Sequence, residues 1–393
     1  MPRTTGRYET TVAGGETVQA FVPHPLPPRD PPLDLAGPLA ERLRLAEQAL
    51  ARLELAGTMV PSVDWFIYAF VRKEAVISSQ IEGTQATLED LLRHEATAPT
   101  HQAAAADLEV GEVCNYLDAL SWSQAQLRAP EGLPLSMRLL NGAHARLLQG
   151  TRGARSLPGE IRRSQNWIGG SRPGNAAFVP PPPQLLAQAL SDLERYIHAE
   201  DHLPPLVRAG LLHVQFESIH PYLDGNGRIG RLLVSLLLEH WDLLSRPLLY
   251  LSLFFKRHRA EYYRRLALVR TEGDWEGWLD FFLDGVATIA EEAVATSRDL
   301  FTLVTADRQR LLSLDSASVT ALRLFELLPK NPIVDSTSVM ALLETTRPTA
   351  GRTLRTLVEA GVLMETTGRR RDRSFAYAAY LAHLREGTGL DIA

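Results

Sequence analysis

The sequence has 393 residues, 45% of them hydrophobic and 22% charged, with a formal net charge of −5. That length predicts two or three domains with room for a sizeable core, and the balance excludes both a disordered chain and one that binds polyanions over its whole surface. A single cysteine, Cys114, excludes an intramolecular disulfide or a Cys-based zinc site, and no apolar run approaches the roughly 18 residues of a membrane helix. The first residues lack the apolar run of a signal peptide, so the expected setting is the cytoplasm.

Residues 1–35 turn proline-rich at Pro23, Pro25, Pro27, Pro28, Pro31 and Pro32, which predicts an extended arm over the domain surface. Leu39, Leu43, Ala46, Leu50 and Leu53 mark an amphipathic helix. Ser62 is placed to cap a second helix carrying Phe66, Phe70, Lys73 and Ile77 and ending at Gly83. Thr87 with Asp90 three residues on starts the next. Val110, Cys114, Leu117 and Ser121 place a helix over 107–127, with Cys114 a small core residue. Another follows Ser136, carries Leu139, Leu140, Ala143, Leu147 and a structural His144, and stops at Gly150. Short β-prone runs from Gly159 to Val179, around Ile168-Gly169-Gly170, predict a hairpin, the only one in a helical region. Helices follow at 185–198 and 204–218. The helix after Arg231, apolar nearly all round, is expected at the centre of the bundle.

The stretch His220-Pro-Tyr-Leu-Asp224-Gly225-Asn226-Gly227-Arg228-Ile229-Gly230-Arg231 joins two of these helices. Gly225 and Gly227 leave bare backbone before a helix N-terminus, where free N–H groups and the macrodipole favour an anion. Arg228 and Arg231, three apart, share a face and can fork onto phosphate oxygens. Asp224 would repel a phosphate unless a cation sat between them, and Mg²⁺ suits that place. His220 can take a proton near neutral pH. Each feature has an ordinary reading as a turn or a solvated face; together, in twelve residues, they point to a polyphosphate site.

This stretch resembles the signature of the Fic (filamentation induced by cAMP) family, His-Pro-(Phe/Tyr)-x-(Asp/Glu)-Gly-Asn-Gly-Arg-x-x-Arg, at every specified position. The resemblance, over roughly residues 5–290, implies a protein adenylyltransferase that moves AMP from ATP to a Ser, Thr or Tyr hydroxyl of a protein, the chain itself included. It implies that His220 deprotonates the hydroxyl and Asp224 holds Mg²⁺. Asn226 with the Gly225 and Gly227 backbone would cradle the α- and β-phosphates, while Arg228 and Arg231 would meet the β- and γ-phosphates. Ser78-x-x-x-Glu82-Gly83 matches the family's inhibitory motif, whose glutamate pairs with the second arginine, here Arg231. The segment at Ile168, Gly169 and Gly170 resembles the family's target-binding flap, and Tyr263, in an aromatic-rich run over 250–285, is expected to line the nucleotide pocket. The same site admits AMP removal or transfer of UMP or phosphocholine.

Beyond residue 315 the pattern changes. Val319, Leu322, Leu324 and Phe325 predict one helix, and Val339 and Leu343 a second. A third has Ala350, Leu354, Leu357 and Val358 inward and Thr349, Arg352, Thr353, Arg355 and Thr356 outward. A basic hairpin over 362–377 follows, and the whole resembles a winged helix-turn-helix. Seven arginines against three acidic residues from Arg347 to Phe375 suit double-stranded DNA. The expected fold is all-α, a Fic-type helical bundle with a small β-hairpin flap and a C-terminal winged helix. Its divisions are an N-terminal arm and inhibitory region (1–105), a core (106–290), a helical linker (291–315) and the winged helix (316–393). The partners implied are ATP, Mg²⁺, a protein substrate and DNA, with no membrane; a homodimer is compatible with all of these, as is a DNA-binding regulator that only senses nucleotide.

Overall fold

The computed structural model describes residues 3–59, 63–96, 105–369 and 372–390. The expected cap at Ser62 and the wing residues Arg370 and Arg371 lie outside the described residues. The chain opens with an antiparallel hairpin, β1 (Gly6–Ala13) on β2 (Glu16–Pro23), in register from Gly6↔Pro23 to Ala13↔Glu16. Gly14 and Gly15 turn it at φ 54° and 82°, the left-handed pair that a two-residue hairpin turn uses. The expected extended arm is thus corrected at its start, and the hairpin expected at 159–179 is not the only one. The later prolines do run as irregular chain over the surface.

The bundle is built from α1 (Pro38–Met59), α2 (Val63–Ile81), α3 (Leu88–Ala96), α4 (Ala105–Arg128), α5 (Met137–Leu147), α6 (Pro183–His198), α7 (Pro205–Ile219), α8 (Asn226–His240), α9 (Ser252–Arg257), α10 (Arg259–Glu272) and α11 (Trp275–Leu312). Ser136 Oγ accepts the N–H of Leu139 and starts α5; Thr87 and Asp90 exchange side-chain and backbone hydrogen bonds to start α3. α1 lies along α11, α4 along α5, and α7 beside α8. Every residue of α7 from Leu206 to Ile219 is buried, so α7 shares the centre with α8. The aromatic run from Tyr250 to Phe282 is mostly core, with Trp278 donating its indole N–H to Gly210 O at 2.9 Å.

α11 continues unbroken through residue 290 into a C-terminal module of α12 (Val319–Leu327), β3 (Ile333–Asp335), α13 (Ser336–Leu343), α14 (Arg347–Glu359), β4 (Met364–Glu365), β5 (Ser374–Ala376) and α15 (Ala378–Arg385). The three strands are antiparallel in the order β3-β5-β4. Tyr377 donates its hydroxyl to buried Asp307 of α11 at 2.8 Å, joining module to helix. Four facings differ from expectation. Val319 is 79% exposed, because it is the first residue of α12 and lies above the core. Thr353 and Thr356 are buried while Val358 is 39% exposed, because the inward stripe of α14 is Ala350, Thr353, Leu354, Thr356 and Leu357.

Candidate active site

α7 ends at His220, whose backbone takes the left-handed values φ 50°, ψ 63° while its N–H still donates to Phe216 O at 2.9 Å. α8 begins after Gly225, itself at φ 78°. The loop between them is shaped by Asn226: its Oδ1 accepts the Tyr222 N–H and its Nδ2 donates to Tyr222 O, both at 2.8 Å. The Asn226 amide therefore holds the cradle's shape, and the backbone around Gly225 and Gly227 forms its floor. No side chain caps α8, so first-turn N–H groups remain for an anion. Beneath the loop His144 accepts the Gly159 N–H on Nδ1 at 2.9 Å, so its Nε2–H donates to Asp224 O at 2.9 Å, and the ring stacks on Tyr222 at 3.8 Å. Burial holds His144 down to about 4, hence neutral, the structural part expected of it.

Arg231 is 3% exposed and engaged through Nε and Nη2. Its Nε donates to Ser78 Oγ and its Nη2 to Ser78 O, both at 2.9 Å, and Nη2 also meets Glu82 Oε1 at 2.7 Å. Ser78 and Glu82 thus reach one guanidinium from the last turn of α2 and the residue after it. Burial opposes ionisation of Glu82, but Arg231, with Arg228 and His220, outweighs it and holds the carboxyl below its usual range. Gly83 follows at φ 96° and releases the chain. A Cβ at Gly227 would lie 2.2 Å from Glu82 Oε1, so the carboxylate rests directly on the first turn of α8.

Arg228 is 5% exposed, 3.6 Å from Asp224 Oδ1 and 3.7 Å from Glu112 Oε2. Glu112 also takes Arg152 Nε at 2.9 Å and Thr84 Oγ1 at 2.8 Å. Asp224 is half-exposed, with Oδ1 accepting the Gly225 N–H at 2.6 Å. Among the described residues no group of three or more His, Cys, Asp or Glu could hold a metal. A single carboxylate beside an anion cradle fits Mg²⁺ whose remaining ligands are phosphate oxygens and water.

His220 closes the end of α7. Burial, then the Arg162 cation, hold it down to about 4, against the Glu217 carbonyl and Glu82 charge, so it is neutral at pH 7. Arg162, fully buried, donates Nε to His220 O at 2.9 Å and Nη2 to Pro181 O, tying the histidine to the prolines that follow the segment at 168–178. That segment is shorter than the expected hairpin: Ile168 and Phe178 form one bridge, with N–H···O distances of 2.8 and 3.1 Å. Gly169 and Gly170, both at positive φ, and the prolines at 173 and 180–183 leave no room for a longer ladder. The N-terminal hairpin extends it through Phe21 N–H to Val179 O at 2.9 Å. Tyr263 is 43% exposed near the Glu82–Arg231 pair, whose glutamate helps raise its hydroxyl pKa after burial. Ile229 and Gly230 are buried in α8, and Gly230 O accepts from His213 Nδ1 at 3.1 Å.

Three site residues have roles that their sequence context does not announce: Glu112, Arg152 and Arg162, none of which sits in a recognisable motif. Glu217, a carboxyl in the apolar run Val214 to Ile219, reads from the sequence as a buried group, as does His213, and both are buried.

A helical bundle whose central helices meet at an anion cradle, closed by an arginine–carboxylate pair, is the class that fold and site define. A family model for the Fic/DOC family N-terminal region matches residues 40–125, and one for the Fic/DOC family matches 134–238. Between residues 40 and 238 the chain therefore carries a Fic/DOC family N-terminal region followed by a Fic/DOC family region. It is 31% identical over 171 residues to the protein adenylyltransferase Fic of Drosophila ananassae, covering 43% of this chain and 30% of that one. With the protein of the same description from Drosophila melanogaster it shares 35% over 128 residues, 32% of this chain and 23% of that one. The match thus spans less than a third of the curated relatives' length. A Fic family protein from Desulfovibrio desulfuricans has the same fold, at TM-score 0.57 and 20% identity over 88% of this chain and 97% of that one. A Fic domain signalling protein from Bacteroides thetaiotaomicron aligns at TM-score 0.52 and 17% identity, over 64% and 95%.

Proposed function

We propose that this protein transfers AMP from ATP to a Ser, Thr or Tyr hydroxyl of a protein, and that Glu82 keeps the resting site closed. The observation that carries the reading is the Arg231 guanidinium held by Ser78 and Glu82 at the lip of the Gly225–Gly227 cradle. The triphosphate lies along the N-terminus of α8, with Arg228 at the β-phosphate and Arg231 at the γ-phosphate once Glu82 withdraws. Asp224 would hold Mg²⁺, which neutralises phosphate charge when bound. The target hydroxyl attacks the α-phosphorus, its proton passes to the neutral His220 imidazole, and the bond to the bridging oxygen breaks to release diphosphate. Such transfer depends on positioning and charge neutralisation, which these groups supply. The segment at Ile168, Gly169 and Gly170 offers backbone for strand addition by the target, and Tyr263 flanks the base. The C-terminal module is a winged helix whose basic face meets duplex DNA. A bacterial cytoplasm, which supplies ATP and Mg²⁺, is the setting.

The test incubates wild type, Glu82→Gly and Glu82→Gly/His220→Ala with α-labelled ATP, Mg²⁺ and a bacterial lysate. Label on protein with Glu82→Gly, weak label with wild type and none with the double variant is the expected result. A Glu82→Gly protein that binds ATP yet labels nothing would sink adenylyl transfer and redirect attention to AMP removal.

A further inference from the structure

The last turn of α2, which delivers Glu82, is held from behind by the segment after α15. Gln80, two residues before Glu82, donates Nε2 to Ala86 O at 2.9 Å and to Thr388 O at 3.1 Å. Lys256 of α9 donates Nζ to Gln80 Oε1 at 2.9 Å and to Gly389 O. Lys256 and Thr388 are buried, so this is a packed joint and not a surface tangle. Arg385 of α15 pairs with Glu89 of α3 at 2.6 Å, fastening the same module to the helix after the Glu82 turn. Arg259 Nη2 caps the Ile81 carbonyl at 3.3 Å. Gly387, at φ 78°, seats the segment on α9: a Cβ there would lie 2.7 Å from Leu253 Cδ1.

We infer that Gln80, Lys256 and residues 387–389 form a clasp that positions Glu82 on Arg231, so that the C-terminal module sets how firmly the site is closed. The geometry is a chain of direct contacts. The carbonyls of Thr388 and Gly389 fix the Gln80 side chain and the ammonium beside it; Gln80 fixes the end of α2 against Ala86. Glu82 and Gly83 turn between those two anchors, with N–H groups donating to Ser79 O and Gln80 O at 3.1 and 3.0 Å. A carboxylate one-third exposed on a free helix end would exchange between Arg231 and water; on an end pinned from both sides it stays on Arg231. Whatever draws the module away, a bound partner included, loosens the turn and frees Arg231 for phosphate. Gln80 and Lys256 are therefore positioning residues for the inhibitory contact.

This inference rests on the reading of Glu82 given above, and two readouts separate them. Gly387→Val unseats the segment by both φ and contact without touching α2, and Gln80→Ala removes the α2 side of the joint. Each is made in the wild-type and Glu82→Gly backgrounds, and labelling from α-labelled ATP is measured alongside amide exchange at Glu82, Gly83 and Thr84. Each variant should raise labelling about fivefold or more over wild type, leave the Glu82→Gly rate within about twofold, and speed exchange at the turn about tenfold. Unchanged exchange at Glu82–Thr84 in Gly387→Val overturns the clasp, whatever the activity. So does an equal proportional change in both backgrounds, which marks a general effect on the fold. Absence of label in Glu82→Gly itself overturns adenylyl transfer, and exchange then still decides whether the clasp holds the turn.

Discussion

His220 keeps a left-handed backbone that costs a non-glycine residue about 1–2 kcal/mol, and Arg162 holds it there by donating to its carbonyl. The left-handed turn lets the chain leave the end of α7 and enter the loop that leads to α8 instead of continuing the helix. Because burial holds His220 down to about 4, the base is neutral across the physiological range. Transfer by Glu82→Gly should stay level from pH 8 to about 5.5; a fall centred on the ordinary histidine value of about 6.5 would contradict burial of the ring. Stability follows the same groups. His144, His213 and His220 all lie near 4, so below about 6.5 the unfolded chain gains protons that the native state refuses, and stability falls from there towards pH 4. Glu217 acts oppositely. Burial pushes it up to about 7, so the native state favours the neutral acid, and stability is lost as pH rises from about 4.5 through 7. Glu217→Gln should therefore gain up to about 3 kcal/mol over wild type at pH 8 and almost nothing at pH 4.5, read from paired denaturant titrations. Equal stability at pH 8 would show that the buried carboxyl is better solvated than its 9% exposure indicates.

At the scale of elements, the turn that carries Glu82 shows what a sequence can and cannot reveal. Gly83 sits at φ 96°, and a Cβ added there would meet nothing within 4 Å, so its requirement is conformational and not steric. Gly83→Ala should cost about 1 kcal/mol of stability and loosen Glu82, raising labelling over wild type; a melting point and rate both unchanged would mean the turn tolerates strain without passing it on. The pairing of Ser78 and Glu82 with Arg231 is readable because each half is a contiguous motif, although 149 residues separate Glu82 from Arg231. The hairpin of β1 and β2 is equally readable in principle: Thr10-Thr-Val-Ala and Glu16-Thr-Val-Gln flank Gly14-Gly15. The six prolines from Pro23 onward dominate the arm's composition and hide that signal. Arg162 and Glu112 are not readable at all. Their roles arise where loop, α4 and α8 converge, and no periodicity reports a convergence of distant segments. On α14, Thr353 and Thr356 look solvent-facing by residue type, yet spacing from Ala350 and Leu357 puts them on the buried stripe.

At the scale of the molecule, α11 is the beam on which both halves are mounted: its first turns pack the aromatic core and its later turns hold Tyr377 through Asp307. Among the described residues no helix is long and apolar enough to cross a membrane. The C-terminal module keeps Arg347, Arg352 and Arg355 exposed on α14 and Arg369 and Arg373 exposed beside the β4–β5 turn, with Arg373 Nε donating to Arg369 O at 2.9 Å. With Thr353 and Thr356 buried, the face offers guanidinium groups and few hydroxyls, which suits phosphate contact more than base reading. Binding to a duplex of about 20 base pairs should accordingly be strongly salt-dependent and only weakly sequence-selective. Each phosphate contact contributes about −0.9 to the slope of log K against log salt, so Arg352→Ala/Arg355→Ala should weaken binding and flatten that slope by about 2. The same variant should leave labelling by Glu82→Gly intact, since neither arginine lies in the cradle. A salt slope unaltered by the double variant would move any duplex contact off α14, and no binding at low salt would remove DNA as the module's partner, leaving a protein to act on the clasp.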